Sequence, residues 1–406
     1  MKLLDEAQTA AIKFIRSKPK CALSADPGTG KTRCSLLSYD RAVIVVPVSL
    51  VSNWKKEIAK WRPSKTANVV TSSLVLSKST DYLIIPYSVL VKLDVEKLLS
   101  LYKNVILDEA HFIKNPSSIR SKVACALLRG ADRAVALSGT FIPNRVAEIW
   151  PLINAMGFIN IPFRHFALRY CNGKMMPWGF DYSGASNVDD LKALLDPYFF
   201  KIKKSEVLPD LAPKKFVISE IDIPLDPSEA ALNFNTLKVT KKPKGILGLA
   251  TALKNDAIRK VPYSAAYITN YLNNNFGKKI LVFGIHSEGL EKLSEALSIF
   301  LPGIVYGKSK KDRLAIVDAF KENPRSRVLL GHISVLGLGF NINEADHVFF
   351  HESDWIFGNV IQAADRAHRI GQEKEITVTF FCVKNSFDSY VIKKMLSKQK
   401  IIKGIL

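Results

Sequence analysis

A glycine-rich stretch near the start of the chain has the residue types of a phosphate-binding loop. ADPGTGKT occupies residues 25–32, after the apolar run CALSA and before a run compatible with a helix. Glycines allow backbone N–H groups to turn toward phosphate oxygens, while lysine and threonine side chains reach the β and γ phosphates and Mg²⁺. The residues predicted to bind the nucleotide are Pro27, Gly28, Thr29, Gly30, Lys31 and Thr32, with Lys31 also catalytic and Thr32 also a metal ligand. A chance glycine-rich turn is the alternative.

Two adjacent carboxylates follow a second apolar run, VILDEAH at 105–111. Asp108 is predicted to hold the Mg²⁺ shell, and Glu109 to orient or deprotonate an attacking water. Alone, such a pair is compatible with a surface turn. With a phosphate loop about 80 residues earlier, it indicates an ATPase site. Gln8, which lies 23 residues before Lys31, is predicted to read an adenine edge, and its alternative is a solvated helix position.

A third polar group lies near the end of the chain, in QAADRAHRIGQ at 362–372. Helical spacing predicts that Gln362, Arg366 and Arg369 form one polar stripe. We expect the two arginines to act as catalytic fingers and Gln362 to contact the nucleotide bound by the first lobe. Such a finger contributes about 10³ to 10⁵ in rate, and a requirement for lobe closure would couple hydrolysis to motion. A solvated helix face is the alternative.

The elements that position these residues are predicted from short apolar runs that alternate with helical patterns. Two groups of runs have this alternation: 42–47, 82–86, 104–111 and 134–140, and then 279–285, 327–332, 347–352 and 376–383. Alternation of this kind predicts an α/β fold with two parallel-sheet lobes and helical insertions between them. The predicted domains are a first lobe at 1–150, a linker and helical insertion at 151–277, a second lobe at 278–385 and a basic helix at 386–406.

The composition favours a polyanion as partner. The chain has 406 residues and a net charge of +21, of which residues 1–200 carry +11 and residues 201–406 carry +10. Charge spread over both halves predicts a track along a phosphate backbone, with a merely soluble basic protein as the alternative. The start of the chain predicts an amphipathic helix rather than a signal peptide, and no membrane span is expected. Five scattered cysteines predict a reducing, intracellular compartment.

Five motifs together resemble the Swi/Snf-type ATPases of helicase superfamily two. They are ADPGTGKT, VPVSLVSNWKKEI (46–58), DEAHFIKNPSS (108–118), LSGTFIPNRVAEIWPL (137–152) and QAADRAHRIGQ. Their order covers nearly the whole chain, and the pairing of DEAH with IKNP and of the last motif with HRIGQ is specific to this family. Ala25 stands where the general phosphate-loop pattern begins with glycine, and the helicase version of the loop has alanine there. The resemblance implies two RecA-like lobes that use ATP and Mg²⁺.

The resemblance also implies roles for single residues. Those carried over as DNA contacts are Ser49, Asn53, Ser88, His286, Lys308 and Ser334, each with a plain capping or surface role as its alternative. Those carried over as coupling residues are His111, Ser138 and Thr140, and Gly339 is carried over as a nucleotide contact. The chain departs from the family at Phe141, where proline is usual, and in the loop at 335–341.

A narrower resemblance joins residues 166–195, FALRYCNGKMMPWGFDYSGASNVDDLKALL, to the annealing helicases, the fork-remodelling branch of the family. It implies a translocase on double-stranded DNA that rewinds or remodels branched DNA or displaces bound proteins. We expect a minimal, monomeric motor without accessory modules. Fork selection would then come from a partner protein or from the basic 200–260 insertion, including Lys241, Lys242 and Lys244. An RNA helicase and an ATP-gated DNA clamp or scaffold remain alternatives.

Overall fold

The fold is taken from a computed structural model, which describes residues 5–71, 80–177, 179–207, 214–224, 246–307, 312–337, 340, 342–368 and 375–405. Six residues named above lie outside this part of the chain: Lys241, Lys242, Lys244, Lys308, Gly339 and Arg369. The chain divides into two compact units, residues 1–209 with 400–406 and residues 210–399.

The first unit is built on a seven-stranded parallel sheet. Its strands have the order β3-β4-β2-β5-β6-β1-β9. The strands are β1 Lys20–Ala25, β2 Ala42–Val46, β3 Ala67–Val69, β4 Tyr82–Pro86, β5 Asn104–Leu107, β6 Arg133–Ser138 and β9 Phe199–Ile202, and an antiparallel hairpin joins β7 Lys174–Met176 to β8 Gly179–Asp181. The α-helices are α1 Glu6–Ser17, α2 Lys31–Ser38, α3 Val51–Trp61, α4 Tyr87–Leu90, α5 Val95–Leu101, α6 Ile119–Gly130, α7 Trp150–Ala155, α8 Phe163–Tyr170, α9 Val188–Leu195 and α10 Lys204–Val207. Short 3₁₀ helices cover Val48–Leu50, Ala110–Ile113, Val146–Ile149 and Asp196–Tyr198.

The continuous apolar runs of the first unit are explained by helices that cover both faces of the sheet. Side chains alternate between faces along a strand, so that Val43 and Val45 pack in one core while Ile44 and Val46 pack in the other. All five residues of β2 are therefore buried, as in sheets covered on both sides.

The second unit has a six-stranded parallel sheet of order β10-β15-β14-β11-β13-β12. The strands are β10 Lys214–Ile221, β11 Lys279–Gly284, β12 Gly303–Val305, β13 Val328–His332, β14 Ala345–Phe350 and β15 Ile376–Val383. The α-helices are α11 Ile246–Arg259, α12 Val261–Asn274, α13 Ser287–Ala296, α14 Arg313–Glu322, α15 Ile333–Leu336, α16 Phe357–Ala364 and α17 Phe387–Ile405, and a 3₁₀ helix covers Ser298–Phe300. The part of α17 from residue 400 onward is grouped with the first unit.

Aromatic pairs and one buried ion pair hold the second unit together. Phe349 and Phe381 stack on one face of the sheet, and Phe350 and Phe380 stack on the other. Lys260 Nζ lies 2.6 Å from Asp388 Oδ2, and both side chains are almost fully buried. The pair connects the start of α12 to the start of α17. Removing either partner would leave a buried charge without its counter-charge, which is strongly destabilising.

The predicted fold class is confirmed, since each unit has its own parallel sheet and helices. Every predicted strand run coincides with a strand, and Asp5 caps the predicted N-terminal helix through its side chain. The domain limits differ from the predicted ones, because the 151–277 segment is divided between the units. Its residues supply β9 to the first sheet and β10 to the second. Both are outer strands, and lysines interrupt their apolar patterns.

Two further expectations concern membranes and thiols. In the described ranges, no helix combines the length and the apolar character that a membrane span requires. All five cysteines lie in the described part of the chain, where they are buried and free of disulfides.

Candidate functional site

The phosphate-loop sequence forms the predicted turn between β1 and α2. Gly28 and Gly30 have φ angles of 88° and 92°, which favour glycine, and a Cβ added at Gly30 would lie 2.4 Å from Gln8 Nε2. Asp26 anchors the loop to the outer strand β9: its N–H donates to Ile202 O at 3.1 Å, and its Oδ2 accepts from the N–H of Lys204 at 2.8 Å. The loop therefore ends at the N-terminus of α2. Backbone N–H groups at the N-terminus of a helix are an arrangement that binds phosphate.

Gln8 braces the phosphate loop from α1. Its Nε2 donates to Thr29 O at 3.1 Å, and its Oε1 accepts from Arg33 at 3.2 Å. The Arg33 guanidinium lies 4.0 Å from the centre of the Trp61 ring, which fixes its position. A carboxamide has two N–H donors and two acceptor positions, and these contacts use one of each. The adenine contact of Gln8 stays a prediction.

Asp108 is held at the carboxyl end of β5 by two donors. Trp54 Nε1 donates to Oδ2 at 2.8 Å, and the Glu109 N–H donates to Oδ1 at 2.9 Å. Tyr87 adds a bond to the Asp108 carbonyl at 2.8 Å. Burial raises the pKa of Asp108 to about 6, although the positive charge of Lys31 opposes this rise. The carboxylate is therefore fixed in direction, and the positive charge of Lys31 is too small to offset the cost of burying its negative charge.

These residues fit a nucleotide-bound Mg²⁺. This ion prefers one or two carboxylates together with phosphate oxygens and water, rather than a cage of protein ligands. The described residues contain no group of three or more His, Cys, Asp or Glu side chains able to hold a metal. Asp108 supplies one buried carboxylate whose pKa indicates a need for positive charge. Thr32 stands in the first turn of α2, directly after the loop. Together they would hold Mg²⁺ beside the phosphates.

Glu109 lies at the centre of a chain of contacts that joins three motifs. Its backbone has φ 47°, and its Oε1 lies 3.2 Å from Lys31 Nζ. Its Oε2 lies 3.4 Å from His111 Nδ1, which is also 3.3 Å from Ser138 Oγ. Ser138 donates its one hydroxyl proton to Thr140 O at 2.9 Å, so Nδ1 of His111 must be the donor in both of its contacts. Burial lowers the pKa of His111, which keeps its ring neutral.

The buried charge of Asp108 predicts a pH-dependent effect on stability. Its folded-state pKa of about 6 lies above the ordinary range, so the folded chain binds this proton more tightly and stability falls as pH rises through that value. Asp108→Asn removes the charge. We expect its free energy of unfolding to rise relative to the parent by roughly 2 kcal/mol between pH 4.5 and pH 7.5 in magnesium-free buffer. Denaturant titrations at both pH values measure this change, and a constant difference would contradict it.

Of the predicted polar stripe, Gln362 and Arg366 do not share a helix face, and Arg369 lies outside the described residues. Helix α16 ends at Ala364, so Arg366 lies in the turn beyond it, while Gln362 is half-buried in the last helical turn. Arg366 is 5 % exposed, and it donates from Nε to Gly337 O at 2.9 Å and from Nη1 to Phe340 O at 3.2 Å. The arginine braces the loop that follows α15, and this tertiary contact, not helical spacing, sets its direction.

The described DNA-contact candidates lie at the carboxyl edges of the two sheets. In the first unit, Ser49 follows β2 and Ser88 follows β4, and Asn53 stands in the first turn of α3; all three are exposed. In the second unit, His286 follows β11 and Ser334 follows β13. In each unit they share the sheet edge where parallel α/β folds bind ligands.

The sequence alone did not reveal the residues that hold this site in place. Trp54, Tyr87 and Arg33 appear there as ordinary helix or core positions. A tryptophan in the motif at 46–58 was the one available signal, because a buried indole N–H requires an acceptor.

Polar residues of the segment at 166–195 form a local hydrogen-bond network at the C-terminal end of α8. The Arg169 carbonyl accepts from Ser186 Oγ at 2.8 Å and from Asn187 Nδ2 at 2.7 Å, and the Asn172 N–H donates to Ser186 Oγ at 2.9 Å. A Cβ at Gly173 would lie 2.8 Å from Ala167 O. These contacts satisfy the helix end and fix the base of the β7–β8 hairpin. The described signature residues therefore have a structural role in positioning the hairpin.

Comparison with known proteins gives matches across the chain. A family model described as the SNF2-related domain matches residues 10–232, and one described as the helicase conserved C-terminal domain matches residues 264–371. The SWI/SNF-related matrix-associated actin-dependent regulator of chromatin subfamily A-like protein 1 of Xenopus laevis is 31% identical over 96% of this chain and 42% of its own length. The human DNA annealing helicase and endonuclease ZRANB3 is 31% identical over 99% of this chain and 40% of its own length.

The chain thus spans well under half the length of these two curated relatives. Among solved structures, the Sulfolobus solfataricus SWI2/SNF2 ATPase core in complex with dsDNA aligns over 100% of this chain and 93% of that chain, with 21% identity and a TM-score of 0.46.

Proposed function

We propose, from the premise that this chain belongs to the SNF2-related family of helicase-type ATPases, that it hydrolyses ATP in response to duplex DNA and translocates on that duplex. The observation that carries the proposal is the placement of Glu109 between Lys31 and His111, next to the buried carboxylate of Asp108. A protein that only binds ATP as a clamp has no need of a carboxylate placed to activate water.

The residues of this site divide the work of hydrolysis. ATP with Mg²⁺ supplies the γ-phosphoryl group whose transfer to water is the reaction. The loop N–H groups and Lys31 would bind phosphate oxygens, and Asp108 with Thr32 would hold the Mg²⁺ that polarises them. As Lys31 turns to the phosphates, Glu109 keeps its contact with His111 and accepts a proton from the attacking water. Because His111 also contacts Ser138, movement in the motif at 137–152 reaches the base directly.

The arginines of the last motif are proposed to complete the reaction. Charge develops on the γ-phosphate during transfer, and an arginine stabilises it best when water is excluded. Arg366 also supports the loop after α15 through Gly337 and Phe340, which gives it a structural role as well. Arg369 is proposed as the second catalytic arginine.

Duplex DNA is proposed as the substrate, with branched duplexes as the favoured form. The net charge of +21 supports a phosphate-backbone partner, and a relative named as a DNA annealing helicase favours DNA over RNA. The signature segment that folds into the hairpin base supports the annealing branch. Displacement of bound proteins by the same translocation is a further proposed outcome, as is a protein partner that supplies fork selection.

We expect ATPase activity to rise at least tenfold with duplex DNA and to respond weakly to single strands or RNA. Phosphate contacts release counterions, so the DNA concentration that gives half-maximal activity should increase about 10²-fold between 50 and 200 mM salt, with little dependence on base sequence. Steady-state ATPase assays with no nucleic acid, single strands, duplex, forked DNA and RNA test this. Stronger stimulation by RNA would select the RNA-helicase alternative, and equal stimulation by forks and duplexes would favour a general duplex translocase.

A further inference from the structure

Residues 205–213 form the connection between the two units, and they lie between Lys204 of α10 and Lys214 of β10. Strand β9 leads into α10 and pairs with β1, whose carboxyl end continues into the phosphate loop. Strand β10 pairs with β15, which follows the last motif along the chain. Both strands that flank the connection are thus paired with strands that adjoin a motif assigned to ATP hydrolysis.

Asp26 of the phosphate loop supplies the acceptor for the first N–H group of α10. Its Oδ2 accepts from the Lys204 N–H at 2.8 Å, while Glu206 Oε2 accepts from the Lys203 N–H at 3.2 Å. The first N–H groups of a helix have no partner within the helix, so they need a side chain or water as acceptor. Here the acceptor for Lys204 comes from 178 residues earlier in the chain. The connection therefore begins at an N–H group that is fixed by the phosphate loop.

The backbone of Asp26 shapes the phosphate loop independently of α10. Its N–H donates to Ile202 O at 3.1 Å, and its carbonyl accepts from the N–H and the hydroxyl of Thr29 at 3.2 and 2.8 Å. These three bonds do not involve the Lys204 N–H. The bond from Asp26 to α10 is therefore separable from the bonds that give the loop its shape.

Lys214 anchors the other end of the connection to the last motif. It is the first residue of β10, and its Nζ lies 2.8 Å from Asp365 Oδ1. The Asp365 side chain is 4% exposed, so this carboxylate has little contact with water. Asp365 directly follows α16 and directly precedes Arg366. The ion pair thus holds the turn that carries the proposed catalytic arginine.

We propose that Asp26 and Asp365 are positioning residues that anchor the two ends of the connection, one to the phosphate loop and one to the last motif. This rests on the proposed function, in which both motifs act on ATP. A tethered group acts at an effective concentration that is set by the length of its tether, and a longer tether lowers that concentration. The two anchors limit the tether to the residues between Lys204 and Lys214. Release of either anchor lengthens the tether, so the arginine should reach the ATP less often.

The first test removes the Lys204 N–H. Lys204→Pro has no N–H to donate, and proline is favoured at the first helical position, whereas Lys204→Ala loses the same side chain but keeps the N–H. We expect ATP turnover at saturating ATP and duplex DNA to be about fivefold lower in Lys204→Pro than in Lys204→Ala, with ATP affinities equal within about twofold. Equal turnover of the two variants would overturn the proposal. So would parallel losses of turnover and ATP affinity, which would indicate a purely structural role in the loop.

The second test acts at the other end of the connection, and it decides the matter if Lys204→Pro does not fold. Lys214→Met removes the ion pair with Asp365, whereas Lys214→Arg keeps a positive charge for the same carboxylate. We expect Lys214→Met to lower turnover about fivefold without a change in ATP affinity, and Lys214→Arg to retain the parent turnover. Thermal unfolding measures whether both variants fold. Parent-like turnover in a folded Lys214→Met protein would contradict the proposal.

The double variant, Lys204→Pro with Lys214→Met, distinguishes one shared tether from two local effects. Because the cost of a longer tether rises only slowly with further length, release of the second end should lower turnover by less than about twofold more. Independent effects multiply, so a loss of roughly 25-fold would show that the two contacts act separately and would reject the proposal. If duplex DNA does not stimulate the parent, the proposed function fails and this inference fails with it. Normal stimulation of the parent with unaffected variants rejects the anchoring role alone.

Discussion

Replacing Glu109 with glutamine should abolish ATP turnover while leaving ATP binding nearly intact. Glutamine keeps the size and polarity of the side chain but accepts no proton from water, and loss of a general base costs about 10²- to 10⁴-fold. The Lys31 ammonium loses an ion-pair partner at 3.2 Å and remains available for phosphate. ATP affinity measured with a fluorescent nucleotide, together with single-turnover hydrolysis, separates the two effects.

Lys31→Ala is the matched comparison for this prediction. It removes a phosphate contact and the ion pair to Glu109 together, so both nucleotide affinity and turnover should fall. Should Glu109→Gln hydrolyse ATP at the parent rate, the carboxylate has only a structural role and the water-activating assignment must be abandoned.

Replacing either arginine of the last motif with alanine should reduce DNA-stimulated ATP turnover. For Arg369→Ala we expect a loss of roughly 10³-fold. Arg366→Ala should lose comparable activity and also destabilise the fold by about 2–4 kcal/mol, since two hydrogen bonds from a buried guanidinium disappear. Turnover and thermal unfolding of both variants provide the comparison.

Arg366→Lys supplies the control for this pair. Lysine keeps the charge but cannot bond Gly337 and Phe340 in the same fork geometry, so it should recover little stability. Parent-like turnover in Arg369→Ala would remove that residue from the catalytic set. Unchanged stability in Arg366→Ala would contradict the bracing role of its guanidinium.

Much of the fold was predictable because inner strands of covered parallel sheets are continuously apolar. The run at 376–383 coincides with β15, and the phosphate loop lies where its flanking patterns predict. Strands β9 and β10 escaped notice because an outer strand needs fewer apolar residues, and Lys201 and Lys215 interrupt their patterns. Whether such a segment becomes a strand depends on its pairing with a strand that is distant in sequence, and the local sequence does not reveal that pairing.

The residues proposed to act on ATP could be predicted from the sequence, but the residues that hold them in position could not. Lys31, Asp108 and Glu109 follow from residue types placed between a strand and a helix. The end of α16 at Ala364 does not follow, because no glycine or proline marks it and Arg366 finds its partners 26 and 29 residues earlier.

The buried thiols have a practical consequence for observing this protein at work. Burial raises the pKa of Cys125 to about 11 and those of Cys21, Cys34, Cys171 and Cys382 to about 12, so thiolate is scarce at neutral pH and reagents have little access. The native cysteines are therefore expected to react only slowly with maleimides. A single surface cysteine introduced in each unit would carry a fluorophore selectively, without removal of native residues, and energy transfer between the two dyes would report the distance between the units during ATP turnover.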